Sequence, residues 1–306
     1  MQSILITGAT GFIGQALTQS ILRNGHKVIG LTRKDPNHSH LLSHPNLKWR
    51  TWDTKHPIDL DPKVRLDAVI HLAGETVAQK WSEERKDAIL RSRVESTHAL
   101  VESLRVLPYK PQHVLFASAI GFYGSQTSGL LDERGTKGTG FLADVVSAWE
   151  EASLACDFCP TTVLRLGVVL GHSGGMLEKL APIFKAGLGG AVGNGKNTLS
   201  WIHLEDVLEM MAFYINKRDL SRKVVNAVSP NPVTNSVFSK ALASALHRPC
   251  IFTVPRFIPQ MMFGAMADET ILSDQTVVPV QALADGFKFR FPEINEALRN
   301  IFSAVE

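Results

Sequence analysis

Short apolar and β-branched runs alternate with longer amphipathic stretches through the first two thirds of this chain. The runs Ser3–Ile6, Lys27–Leu31, Lys48–Trp52, Ala68–His71, His113–Ala117, Thr162–Leu166 and Val224–Ala227 read as strands. Between them, Phe12–Asn24, Ser82–Arg105 and Leu142–Cys156 carry apolar residues at intervals of three and four, as helices laid on a sheet do. Such alternation predicts βαβ units on a doubly wound parallel sheet, an α/β fold. Past Gly171 the pattern becomes irregular, with glycines at 174, 175, 187, 189, 190, 193 and 195 and prolines between 249 and 259. A loop-rich insertion followed by a smaller C-terminal lobe is expected there.

The first strand runs into Thr7-Gly8-Ala9-Thr10-Gly11-Phe12-Ile13-Gly14, a G-x-x-G-x-x-G turn that opens a helix. In that context Gly8 makes the tight turn, Gly11 lets the backbone approach a pyrophosphate, and Gly14 lets helix and strand pack closely. The helix N-terminus then offers free N–H groups and the positive end of its dipole to an anion. This is the signature of a Rossmann-type dinucleotide site, with Thr10, Phe12 and Ile13 contributing backbone around the phosphates.

The second strand ends at Thr32-Arg33-Lys34, where an NAD-selective protein places a carboxylate for the ribose 2′-hydroxyl. A guanidinium at that position can clamp a 2′-phosphate, so the sequence favours NADP(H) over NAD(H); the alternative is that Arg33 and Lys34 only solvate the loop. Asp53 either serves the adenine edge or caps a turn.

Composition adds exclusions. Across 306 residues the net charge is only +3, and no Lys/Arg run supplies the footprint of a nucleic-acid binder. No leader pattern and no apolar stretch of membrane-spanning length is visible, so a cytoplasmic protein, monomeric or homodimeric, acting on a small molecule is expected. Three cysteines are too few for a disulfide framework. Cys156 and Cys159 form a C-x-x-C read as incidental thiols, and His38, His40 and His44 read as a solvated loop, so no metal is expected.

Further motifs follow in order: His71-Leu72-Ala73-Gly74 after the fourth strand, Ser118-Ala119-Ile120-Gly121-Phe122-Tyr123-Gly124 after the fifth, and Arg165-Leu166-Gly167-Val168-Val169-Leu170-Gly171 after the sixth. With the glycine turn, Trp201-Ile202-His203-Leu204-Glu205-Asp206-Val207 and the C-terminal Val254-Pro255, Gly264-Ala265-Met266-Ala267, Val278-Pro279 and Gly286-Phe287-Lys288-Phe289, they resemble an atypical branch of the extended short-chain dehydrogenases/reductases. That branch is the epimerase family proteins once labelled cell-division-inhibitor-like. The resemblance covers essentially the whole chain. It implies cofactor contacts from Leu72, Ala73, Gly74 and Val168, and it sets Arg93 where the family has an Asn on its fourth helix. Arg93 then either reaches cofactor phosphate or ribose, or pairs with Glu75. It also implies a division into residues 1–170 as the NADP-binding domain, its sheet completed by about 200–232, with 171–200 and 233–306 as the substrate-cap lobe.

Working members of that superfamily use a Tyr and a Lys four residues later. The three tyrosines here, Tyr109, Tyr123 and Tyr214, are followed at that spacing by His113, Thr127 and Arg218. Alignment on Trp149-Glu150 puts Leu142 and Val146 in the pair's place. Tyr123, at the sheet's C-terminal edge, is therefore the first candidate proton donor, with Ser118, His203 and Glu75 next. Trp201, Met261, Met262 and Met266 read as an apolar cap face or as core. The resulting expectation is an NADP(H)-dependent oxidoreductase or epimerase-like enzyme. The rival is a noncatalytic protein that responds to NADP(H).

Overall fold

A computed structural model describes residues 1–35, 41–125, 129–217 and 222–303. His38 and His40 lie outside the described residues.

Seven strands form one parallel sheet: β1 (Ser3–Thr7), β2 (Lys27–Thr32), β3 (Leu47–Thr51), β4 (Ala68–His71), β5 (His113–Ala119), β6 (Thr161–Leu166) and β7 (Lys223–Ala227). Their order is β7-β6-β5-β4-β1-β2-β3, with every adjacent pair parallel. All seven expected strands are present, within two residues at each end. The three expected helices are α1 (Phe12–Arg23), α2 (Glu83–Arg105) and α3 (Phe141–Ser153). They are followed by α4 (Gly175–Lys185), α5 (Leu204–Asn216) and α6 (Asn235–Ala245).

Alternation along β1 shows why helices cover both faces. Ile4 and Ile6 join Leu17, Ile21, Val207 and Met210 of α1 and α5, whereas Leu5 joins Leu100, Leu104 and Phe116 on the α2 side. Successive strand residues point to opposite faces, so a strand apolar at every position must be covered twice. A separate apolar cluster lies in the C-terminal third, where Leu177, Phe184, Trp201, Phe238, Leu242 and the helix Ile294–Ser303 pack together. A short strand, Val168–Leu170, pairs in parallel with Trp201–His203 beside it.

Buried or half-buried carboxylates tie this last third to the sheet. Both oxygens of Asp206 accept backbone N–H bonds from Arg290 and Phe291, at 2.7 and 3.0 Å. Glu269 accepts from the backbone of Phe141 and Leu142 at 3.0 and 2.8 Å, and so caps α3 from a distant segment. The helix has no side-chain cap of its own, and Gly140 at φ +111° lets the carboxylate approach. An anionic acceptor at a helix N-terminus gains from both hydrogen bonding and the helix dipole. Glu269→Ala should therefore lower folding stability by about 1–2 kcal/mol in urea unfolding, the range for lost helix caps; an unchanged midpoint would show that the contact does not hold the segment in place.

Candidate dinucleotide-binding site

In the sheet order the chain leaves β1 toward β2 on one side, while β4 lies on the other, so the C-terminal ends of β1 and β4 flank the switch point at which open α/β sheets bind ligands. Thr7 and His71, the last residues of those strands, are partners across the ladder. The Thr7 hydroxyl accepts N–H bonds from Leu72 and Ala73, both at 3.1 Å. Its own proton therefore goes to His71 Nδ1, 2.8 Å away. His71 is left as the Nε2–H tautomer, with Thr97 Oγ1 at 3.1 Å and Ser96 Oγ at 3.3 Å as acceptors. Complete burial holds this imidazole neutral, pushing its pKa down to about 3.

The glycines fit into this lock. Gly8 has φ +64°, and a Cβ there would lie 2.7 Å from the carbonyl oxygen of Leu72. A Cβ on Gly14 would lie 2.1 Å from the carbonyl oxygen of Gly8, so helix and turn touch backbone to backbone. Gly11 is the N-cap of α1, extended at φ −80° and ψ 174°, with no side chain taking the first N–H groups. The turn is thus closed on its protein side by Leu72-Ala73 and presents uncapped amides at the helix start. Thr10 lies exposed on it, and its carbonyl accepts from Gln15 Nε2 at 2.9 Å.

Phe12 accounts for glycines that the sequence pattern left unexplained. A Cβ on Gly174 would lie 2.4 Å from its ring, and one on Gly171 2.8 Å. The Gly171–Gly175 loop is glycine-rich because the first aromatic of α1 lies on it. Ile13 packs against the α1–α5 core, and Val168 against the C-terminal cluster.

At the tip of β2, Thr32 is buried and its hydroxyl accepts from the backbone N–H of Lys34 at 3.1 Å. Arg33 extends into solvent with its side chain 68% exposed, and Nη1 meets Glu75 Oε1 at 2.5 Å. Arg85 approaches the other Glu75 oxygen at 3.4 Å. These arginines lower the Glu75 pKa, Arg33 foremost through its hydrogen bond. Glu75 is thus paired with Arg33 and with Arg85, whose closeness comes from the path of the loop between β4 and α2 and has no local signature in the sequence. Arg93 is bonded to the carbonyl of Ile89 at 3.0 Å and lies 5.1 Å from the Trp149 ring. A Cβ on Gly74 would come 3.3 Å from its guanidinium, so Gly74 and Arg93 are in contact. Asp53 takes the turn-capping alternative: Oδ1 accepts from the backbone of Lys55 and His56, and Oδ2 meets the His56 ring at 2.6 Å.

Three of the four candidate proton donors, Tyr123, Ser118 and His203, lie in the interior, whereas Glu75 is partly exposed beside Arg33 and Arg85. Tyr123 is completely buried; its hydroxyl lies 2.9 Å from the Asp132 carbonyl and 2.8 Å from Asn226 Oδ1, and it accepts from Arg165 Nη1 at 2.9 Å. Burial raises its pKa above the usual phenol value despite the neighbouring cation. Ser118, also buried, donates to Glu150 Oε1 at 2.6 Å, and Glu150 holds Arg165 in a bidentate pair at 2.8 Å on each side. The guanidinium of Arg165 lies 3.6 Å from the centre of the Phe122 ring. Ser118, Glu150, Arg165, Tyr123 and Asn226 thus make one buried polar network that joins α3 to β5, β6 and β7. His203 caps α5, accepting from the Glu205 backbone at 3.1 Å, and stacks on Phe291 with centroids 4.1 Å apart. Burial lowers its pKa to about 4. Trp201 and Met266 are buried, but Met261 and Met262 are 72% and 57% exposed, so the four do not form one face.

Leu142 and Val146 do face the end of β5: a Cβ on Gly121 would lie 3.4 Å from Leu142 Cβ and 3.6 Å from Val146 Cγ2. A surface depression of about 790 Å³, lined by Phe213, Asp285 and Phe287, lies elsewhere, at the end of α5 near the start of β1. Among the described residues no group of three His, Cys, Asp or Glu is placed to hold a metal ion, and no helix is long and apolar enough to cross a membrane.

The central parallel sheet, its order and the interlocked glycine turn define a Rossmann-type α/β protein. The chain belongs to the NAD dependent epimerase/dehydratase family, which it matches over residues 4–227. Residues 254–301 match a second description, Domain of unknown function DUF1731. Among relatives, an epimerase family protein of Mycobacterium leprae is 35% identical over 96% of this chain and 94% of its own length. The human epimerase family protein SDR39U1 is 31% identical over 97% of this chain and 99% of its own. A crystal structure of human SDR39U1 (isoform 2) with NADPH superposes with a TM-score of 0.88 at 30% identity, covering 99% of this chain and all of that one. A nucleoside-diphosphate sugar epimerase from Corynebacterium glutamicum superposes with a TM-score of 0.77 at 29% identity, with 99% of this chain matched to 58% of that one.

Because the Tyr123 hydroxyl is a hub of the buried network, Tyr123→Phe should destabilise the fold by about 1–3 kcal/mol, the cost of leaving buried partners unsatisfied. Chemical denaturation measures this; an unperturbed midpoint would free the phenol for a role outside the core.

Proposed function

We propose that this chain binds NADP(H) across the ends of β1 and β4 and acts as an oxidoreductase or epimerase-like enzyme on a small molecule. The observation that carries the proposal is the glycine-lined turn, closed behind by Leu72-Ala73 and open at the uncapped start of α1. The residues present fit the cofactor. The Gly11 amide is spent on the Gly8 carbonyl at 3.0 Å, so the backbone amides of Phe12 and Ile13 would face its diphosphate, and Gly14 keeps the helix close enough for them to do so. Leu72, Ala73, Gly74 and Val168 would border the remainder of the crevice. Arg33, solvent-facing at the tip of β2, would take the 2′-phosphate, exchanging the Glu75 carboxylate for a more highly charged anion. Arg93, against Gly74, would take the ribose side. That human SDR39U1 was crystallised with NADPH supports this choice of dinucleotide.

When bound, the nicotinamide supplies hydride transfer. The chain's part is to orient it and to exclude water under residues 171–200 and 233–306, which we assign as the substrate cap over the cofactor domain 1–170 and its completing segment 200–232. Three unpaired cysteines fit a reducing, cytoplasmic setting. The usual Tyr/Lys pair is absent from this reading: Leu142 and Val146 occupy its expected helix positions facing Gly121, and neither titrates. The same observation favours a second reading, in which the protein binds NADP(H) without turnover and responds to its redox state.

One measurement tests the cofactor assignment that both readings share, and a second separates them. Arg33→Ala should weaken NADPH about tenfold or more, as expected for loss of a charge-assisted contact, and leave NADH within about threefold; equal weakening of both would overturn the 2′-phosphate assignment. Turnover of any member of a carbonyl and nucleotide-sugar panel with NADPH or NADP⁺ supports the enzyme, whereas tight binding with no turnover across the panel supports the cofactor-responsive protein.

A further inference from the structure

The C-x-x-C that composition alone marks as incidental is brought together by the fold. Cys156 and Cys159 lie in the connection between α3 and β6, and their sulfurs are 3.6 Å apart in the thiol form. The connection is held from both sides. Arg105 donates to the carbonyl of Ala155 and pairs with Asp157 at 3.0 Å. Arg105 and Lys110 lie 5.0 and 5.3 Å from the Phe158 ring. Arg222 donates to Ser153 Oγ at 2.7 Å. Two thiols are thus set side by side among three cations and one carboxylate.

We propose that Cys156 and Cys159 are a reversible oxidation site, a dithiol that closes into an intramolecular disulfide by exchange with a small-molecule disulfide. Cys159 is the attacking sulfur: it is half-buried, whereas Cys156 is only 3% exposed. The hydrogen bond from Cys156 lowers the Cys159 pKa, and Lys110 adds to this against the effect of burial. Cys156 is pushed up, as the donor of that bond and by burial, and so keeps its proton until the second step. The Cys159 thiolate attacks one sulfur of the external disulfide, forming a mixed disulfide and expelling one thiolate. Cys156 then loses its proton to solvent and attacks Cys159 Sγ, expelling the second thiolate. The protein loses two electrons and two protons; the external disulfide is reduced to two thiols. The connection enters β6, which pairs with the start of β5 at the N-terminal edge of the sheet, opposite the glycine turn. The site is therefore independent of the dinucleotide reading.

The experiment treats the full-length protein with oxidised glutathione, alkylates the remaining thiols under denaturing conditions, and reads intact mass and peptides. The expected result is a loss of two alkylatable cysteines out of three, a Cys156–Cys159 disulfide, and Cys250 still alkylated. Dithiothreitol should restore all three. Cys156→Ser should stop the reaction at a glutathione adduct on Cys159, and Cys159→Ser should leave Cys156 unmodified. Wild-type protein that retains three alkylatable thiols, or that accumulates a stable glutathione adduct on Cys159, overturns the proposal without recourse to either variant.

Discussion

One hydroxyl group fixes how the ends of β1 and β4 meet. Thr7 Oγ1 accepts from two backbone amides of the loop after β4 and donates to His71, so the ends of two adjacent strands are fixed at a single atom. Gly8 and Gly14 complete the lock by letting backbone meet backbone where any side chain would collide. A junction built this way is positioned by buried, hydrogen-bonded groups rather than by flexible surface side chains. For the proposed dinucleotide site this means a shape set before a ligand arrives, which spares binding the cost of ordering a loop.

The same principle of buried, satisfied polarity governs the opposite wall. Glu150 and Arg165 form a bidentate pair out of water, Ser118 and Tyr123 take up other polar contacts of the pair, and Asn226 in turn meets the Tyr123 hydroxyl. Breaking one member would strand the others, so these residues hold α3, β5, β6 and β7 in mutual register. In this arrangement their polar atoms bond to one another, and Leu142 and Val146, which face the end of β5, are apolar.

The sheet was legible in the chain because each strand is a short apolar run bounded by a turn, and the surrounding helices repeat at three and four residues. The glycine turn was legible for the same reason, since its backbone geometry demands glycine at fixed spacing. What could not be read were contacts between residues distant in sequence. Tyr123 has the position of a site residue along the chain, but Asn226 and Arg165 come from other strands and enclose its hydroxyl. Glu269 caps α3 across more than a hundred residues, and Phe12 explains glycines at 171 and 174 that look merely loop-like in sequence. Arg85 joins Glu75 only through the path of one loop. Local patterns encode elements; the roles of polar side chains depend on which elements meet.

The central claim is that the α1 start and the loop after β4 together seat a dinucleotide. Hydrogen exchange of the protein with and without saturating NADPH tests it at those amides. The account predicts slowed exchange in residues 8–15 and 72–75, with the α5 depression around Phe213 and Phe287 unaffected. Unchanged exchange in both segments, or protection confined to the α5 depression, would contradict it.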